Sequence, residues 1–461
     1  MDLLLTHGYF LFEDEKELQI MKPYAPLGIL YLCSHLRARG FGVEVYDSTF
    51  QSREDLYAQL ESQPPSVMGV YSTLMTRRNV VQILQHAKAA GWKTIVGGPE
   101  AGPYAQEYLQ NGADAVVIGE GEYTLEELLT AWKAGAPLEQ VNGIAFCDAA
   151  GEVRRTPPRA QLPDLDAQPW PARDAVNIDQ YVKTWRDHHG TGSVNLITAR
   201  GCPYKCRWCS HHVYGMTHRR RKPACVVDEM EFLINRYTPD IGWISDDVFT
   251  IHHGWLFEYA AEMKRRGLRL PFECISRADR VTERVADTLA ELGCFRLWIG
   301  SESGSQRILD SMERGVTVEQ VAQAVEMCRR RNIQTGMFLM WGYEGEELSD
   351  IQATVEHVKR TNPDVFFTTV AYPIKGTKYF ERVQDRVVSD AEWAITSDRE
   401  HRVRGRHSRR YYKFADQLLR SEVELQRIRN GFPANGDVDL LAARILEAQQ
   451  GMHDAAGEVE A

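Results

Sequence analysis

Apolar positions in the first 130 residues fall in short β-branched runs separated by stretches of helical spacing. That is the pattern of strands joined by crossover helices into a parallel sheet. Strands are predicted at Asp2–Leu5, Val43–Tyr46, Val67–Tyr71, Thr94–Val96 and Ala115–Ile118, and helices at Leu27–Arg39, Arg53–Ser62, Arg77–Ala90, Tyr104–Asn111 and Thr124–Lys133. Gly97-Gly98-Pro99 and Gly119-Glu120-Gly121 punctuate strand ends, where an open α/β sheet places its ligands. Residues 1–136 are therefore expected to form a doubly wound, Rossmann-like domain. From 137 to 190 the pattern loses its period and gains proline, in Thr156-Pro-Pro-Arg159 and Leu162–Pro171, which predicts a linker.

A second α/β series follows over 191–381, with strands predicted at Val194–Ala199, Ile241–Ser245, Phe272–Ile275, Phe295–Gly300, Gln334–Met340 and Val365–Val370. Val318, Val321, Ala322, Val325 and Cys328 recur at the spacing of an amphipathic crossover helix. Six repeats in this length predict a partial (βα)6 barrel rather than the closed eightfold form of roughly 250 residues, with its active site at the C-terminal strand ends. Residues 382–461 read as a small helical region, and the last ten, Met452–Ala461, as a frayed tail.

Composition narrows the classes. With 43% hydrophobic and 26% charged residues, the 461-residue chain is neither disordered nor fibrous. No run approaches the ~18–20 apolar residues of a membrane span, and the first residues lack the basic start and small-residue cleavage site of a signal peptide, so a cytoplasmic location is expected. A net charge of −10 argues against nucleic acid as a partner. Nine cysteines, an odd number, exclude a complete disulfide framework. Clustered cysteines in a reducing compartment point to metal or catalysis.

The sharpest feature is Cys202-Pro-Tyr-Lys-Cys206-Arg-Trp-Cys209, directly after the first strand of the second series. Three thiolates converge on one small volume, with His211 and His212 near enough to complete a zinc knuckle. An iron–sulfur cluster normally takes four cysteines, so three leave one iron open. The other cysteines stand in apolar contexts and read as core residues. The basic runs His218–Lys222 and Arg399–Lys413 read as solvated faces paired with acids, or as an anchor for an anionic substrate group. Tyr411 and Tyr412 beside the second run permit a large planar or lipidic substrate.

The cysteine spacing, with Trp208 before the last cysteine, resembles the radical S-adenosylmethionine enzymes. The resemblance implies that Cys202, Cys206 and Cys209 hold three irons of a 4Fe-4S cluster whose fourth iron chelates S-adenosylmethionine, and that reduction releases a 5′-deoxyadenosyl radical. Ser245-Asp246-Asp247 is similar to the family's segment for the S-adenosylmethionine ammonium, though both acids can also cap the next helix. Arg277 is placed to face the ligand's carboxylate. Gly300-Ser-Glu302-Ser-Gly304-Ser resembles the segment whose glutamate accepts from ribose hydroxyls. Tyr343-Glu-Gly-Glu346 and Tyr372-Pro-Ile-Lys-Gly-Thr377 are similar to two further turns, each lacking one of the family's prolines.

A doubly wound domain ahead of such a barrel resembles the cobalamin-binding subgroup, which includes C-methyltransferases and anaerobic magnesium-protoporphyrin ester cyclases. The matching residues are Pro26-Leu-Gly28, Tyr71-Ser72-Thr73, Val96-Gly97-Gly98-Pro99 and Ile118-Gly119-Glu120-Gly121-Glu122. The resemblance implies that Ser72 or Thr73 bonds the corrinoid's nucleotide tail and that Gly97, Gly98, Gly119 and Glu120 border it. Glu100 stands where relatives carry histidine. Asp187-His-His189-Gly-Thr-Gly192 spells a cobalt-ligating signature but precedes the wrong strand, and reads as chance.

The expected cofactors are thus a 4Fe-4S cluster, S-adenosylmethionine and cobalamin, and the expected partners a small-molecule substrate and a flavodoxin- or ferredoxin-like electron donor. Methylation of an unactivated carbon is the first functional expectation, oxidative cyclisation or rearrangement the second, and a non-catalytic iron–sulfur protein the third. A methylthiotransferase is disfavoured because the first domain lacks three further cysteines.

Overall fold

Short runs of mostly buried side chains build the first sheet: β1 Leu3–His7, β2 Val43–Val45, β3 Val67–Tyr71, β4 Lys93–Gly97 and β5 Ala115–Val117. These five are parallel, and β6 Ile144–Cys147 and β7 Val153–Arg155 extend them antiparallel in the order β2-β1-β3-β4-β5-β6-β7. The stretch 137–190 therefore carries strands as well as turns. Ile144, Ala145 and Phe146 are buried against β5, a pairing that three residues of pattern among prolines do not announce. Ser52 caps the helix Arg53–Ser62 in a reciprocal box with Asp55, which supplies partners for donors that a helix start leaves free.

The computed structural model describes residues 1–432, 434 and 436–460. One compact unit comprises residues 1–203, 210–243 and 390–400; the other comprises 204–209, 244–389 and 401–461. The second α/β series begins with β8 Ser193–Leu196, and β9 Ala199–Arg200 pairs antiparallel with β10 Arg219–Arg220, so a short hairpin closes the base of the cysteine loop. β11 Ile241–Ile244 follows. In the second unit β12 Phe272–Ser276, β13 Cys294–Glu302, β14 Gln334–Trp341 and β15 Val365–Val370 run parallel, paired in chain order. Helix Val318–Arg329 buries Val321, Ala324, Val325 and Cys328 along one face and starts at a Thr317–Gln320 capping box. The fold is the mixed α/β one expected, with parallel sheets.

Two segments depart from the pattern-based reading. Residues 390–400 belong to the first unit: Asp398 is buried against Arg77, and Trp393 packs on Tyr104 and Tyr108. The end of the chain is not frayed. Helix Val438–Ala455 is followed by residues that pair with the segment before the long helix Arg409–Arg429, through Ser408 N–H to Glu458 O at 3.0 Å and Glu460 N–H to Arg406 O at 2.7 Å. Residue 461 lies outside the described residues. No helix among those described is long and apolar enough to cross a membrane.

Candidate active site

In the second unit, side chains from four places gather around the cysteine loop. The loop backbone is pinned by Arg207 N–H to Met312 O (3.0 Å) and by Tyr379 N–H to Arg207 O (2.9 Å). Trp208 packs against the apolar cluster of Ile308, Leu309, Met312, Met340, Tyr343 and Tyr379. Cys206 is half-buried and Cys209 exposed, while Cys202, at the loop's start in the first unit, is half-buried. Among the described residues no group of three metal-ligating side chains stands close enough to hold an ion. The donor chemistry nevertheless fits an iron–sulfur cluster, because cations face the sulfur that must become a thiolate ligand. Arg314 and Arg277 bring Nη1 to 3.6 and 3.8 Å from Cys206 Sγ.

Arg277 is buried after β12. Its Nε donates to Asp279 Oδ1 (2.9 Å) and its Nη2 to Arg314 O (2.8 Å), and its guanidinium lies 3.6 Å from the centre of the Tyr204 ring. The arginine expected at a ligand carboxylate thus also braces the cysteine loop. Glu302 ends β13 beyond a register shift, at φ 63°, and the irregularity re-aims its side chain. Burial pushes its carboxyl above the usual range, against the pull of Arg314 and Arg277. Asp246 is buried at the end of β11. Asp247 stands at the surface beside it, yet surrounding protein and the Asp246 charge hold its carboxyl above its ordinary value. Cys206, Trp208, Arg277 and Glu302 therefore come together around Arg314, a residue that sequence reasoning missed. The available signal was its place in Met312-Glu-Arg314-Gly315, directly after the short helix that follows the Glu302 segment.

In the first unit a cavity of about 770 Å³ opens at the C-terminal ends of β1 and β3, lined by Gly8, Tyr9, Thr73, Thr76 and Arg78. This is where an open α/β sheet binds ligands, and the cavity fits part of a corrinoid. Thr73 lines it. Ser72 is fully buried beneath, bonded to Tyr108 (2.6 Å) and Glu100 (3.1 Å). Gly98 holds φ +107°, and a Cβ there would meet Ser72 O at 2.3 Å, so only glycine passes. Gly97 ends β4, and Gly119 follows β5 with positive φ. Glu120 is buried and accepts from Arg200 (3.0 Å), Arg219 (2.7 Å) and Leu162 N–H (2.8 Å). Its carboxylate is spent inside the protein.

Other motifs resolve into structure. His189 Nε2 lies 3.0 Å from the carbonyl oxygens of Ile20 and Met21, at the end of helix Ile178–His189. The first basic run is no solvated face: Arg219 meets Glu120, and Arg221 is buried on Glu229 at 2.5 Å. In the second run Arg406 is engaged by Glu460, and Tyr411 and Tyr412 are buried. Cys33, Cys274, Cys294 and Cys328 are buried, with burial pushing the thiols of Cys33 and Cys328 up to about 11 and 12, whereas Cys147 is exposed.

Two family models match the chain. Residues 196–358 match the Radical SAM superfamily and residues 20–129 the B12 binding domain. The chain is 28% identical to an uncharacterized methyltransferase of Pyrococcus horikoshii, over 77% of this chain and 78% of the relative. It is 25% identical to the anaerobic magnesium-protoporphyrin IX monomethyl ester cyclase of Rubrivivax gelatinosus, over 80% and 68%. It shares its fold with the radical S-adenosylmethionine methyltransferase TsrM of Kitasatospora setae, solved with cobalamin and a 4Fe-4S cluster, at a TM-score of 0.69 and 20% identity over 87% of this chain and 81% of that one. A non-catalytic iron–sulfur carrier is thereby set aside. The chain belongs to the radical SAM enzymes that carry a B12 binding domain, and its cofactors are a 4Fe-4S cluster, S-adenosylmethionine and cobalamin.

Proposed function

We propose that the enzyme C-methylates an unactivated carbon of a substrate that is a small molecule or a lipid- or tetrapyrrole-like compound. The observation that carries this reading is the likeness to a methyltransferase over more than three-quarters of both chains. When bound, the cluster and S-adenosylmethionine supply a 5′-deoxyadenosyl radical, and cobalamin supplies a transferable methyl group.

The chain's own residues then have separate tasks. Cys202, Cys206 and Cys209 hold three irons, and Trp208 wedges the loop against the apolar cluster. Asp246 and Asp247 receive the S-adenosylmethionine ammonium, a cation that opposes the upward push of burial and of Asp246 on the Asp247 carboxyl. Glu302 accepts from the ribose hydroxyls. Thr73, Gly97, Gly98 and Gly119 border the corrinoid, while Ser72 and Glu120 brace that border from behind. A flavodoxin- or ferredoxin-like protein delivers the electron, which places the reaction in the reducing cytoplasm.

Anaerobic protein supplied with a chemical reductant, methyl-labelled S-adenosylmethionine and cell-extract metabolites tests the outcome. Methylation yields S-adenosylhomocysteine, 5′-deoxyadenosine and a labelled product. 5′-Deoxyadenosine and product without S-adenosylhomocysteine would turn the reading to oxidative ring closure, which likeness to the cyclase also supports.

A further inference from the structure

Cys206 sits in a cationic cradle built from two buried arginines. Arg314 is 7% exposed and Arg277 2% exposed, and each points a terminal N–H at the same sulfur, 3.6 and 3.8 Å away. Neither group is free to swing. Arg314 Nη2 donates to Gly300 O at 2.9 Å, Arg277 Nη2 donates to Arg314 O, and Arg277 Nε is held by Asp279.

The two arginines are compensated unequally: Arg277 is paired with Asp279 at 2.9 Å, whereas Arg314 meets Glu302 only at 3.8 Å. Arg314 Nε has no hydrogen-bond partner, and Glu302 Oε1 stands 3.8 Å from it. Burying a guanidinium without full compensation costs free energy, so an arrangement that retains this one is set up for an anion at Cys206. A thiolate ligating a cluster is such an anion.

We infer that Arg277 and Arg314 are positioning residues that clamp the Cys206 sulfur with two N–H donors and thereby raise the reduction potential of the cluster. The inference rests on the reading of Cys206 as a cluster ligand. Reduction adds negative charge to the cluster, and hydrogen bonds to its sulfurs with positive charge nearby stabilise that form.

The test is a redox titration, followed by electron paramagnetic resonance, of full-length protein reconstituted anaerobically with iron and sulfide. Wild type, Arg314→Gln, Arg277→Gln and Arg314→Lys are compared at measured iron content. In Arg314→Gln the ratio of reduced to oxidised cluster at a fixed potential falls about tenfold, equivalent to ~59 mV for a one-electron couple, and Arg314→Lys lies between it and wild type. A midpoint equal to wild type in both glutamine variants overturns the inference. Should Arg314→Gln fail to load, Arg314→Lys and Arg277→Gln carry the test, with lowered midpoints supporting the clamp and unchanged ones overturning it. Wild-type protein that takes up no iron would refute the ligand reading instead.

Discussion

Arg77 shows what one side chain holds together. It is 1% exposed, with Nε on Glu100 Oε1 at 2.6 Å and Nη2 on Asp398 Oδ1 at 2.5 Å, while Tyr108 donates to Glu100 at 2.7 Å. Glu100 is thus the anchor of a buried ion network. Arg77→Met leaves two buried carboxylates without a cation and is expected to cost about 3–5 kcal/mol, read as a lowered urea midpoint; a loss under about 1 kcal/mol would contradict the network's role. Glu346 offers a pH test. Burial pushes its carboxyl up to about 8, although Gly342 N–H donates to Oε2 at 2.6 Å. From about 4.5 to about 8 the unfolded chain has released a proton that the folded one keeps, so this group's contribution is full at low pH and is lost as pH rises through that window. Stability relative to Glu346→Gln should fall by at most ~1.4 kcal/mol per pH unit there and level off above it. A difference that stays flat across the window contradicts the shift.

At the scale of elements, long periodic segments were legible and paired ends were not. The strand Val67–Tyr71 and the helix Arg53–Ser62 have the bounds that their patterns predict, because a buried parallel strand and an amphipathic crossover each write their period into the sequence. The antiparallel β6 and β7, the segment 390–400 and the chain's end are held by partners distant in sequence, which no local pattern carries. Glu460 is the clearest case: 4% exposed, it accepts from Val403 N–H at 2.7 Å and from Arg406 Nη2 at 2.8 Å. Glu460→Ala should cost the second unit about 3 kcal/mol through the cation left behind, measured as lost protection from hydrogen exchange in helices Arg409–Arg429 and Val438–Ala455. Unaltered protection would mean that the tail is an ornament after all. The site divides in the same way. Cysteines, glycines and strand-end acids could be read from motifs, whereas Arg314 acquires its role only because β13 and the turn at Met312–Gly315 bring it to Cys206.

For the whole molecule, two cofactor sites in one chain are the central claim, and each unit carries evidence of its own: a cavity at the strand ends in one, a cysteine loop backed by guanidiniums in the other. The most direct measurement is iron and cobalt per chain by elemental analysis, on protein made anaerobically in cells supplied with cobalamin, for wild type and Cys206→Ala. The account predicts about four irons and one cobalt in wild type, and in Cys206→Ala loss of the iron with the cobalt retained. Iron at wild-type content in Cys206→Ala, or wild-type protein that holds neither metal, would contradict it.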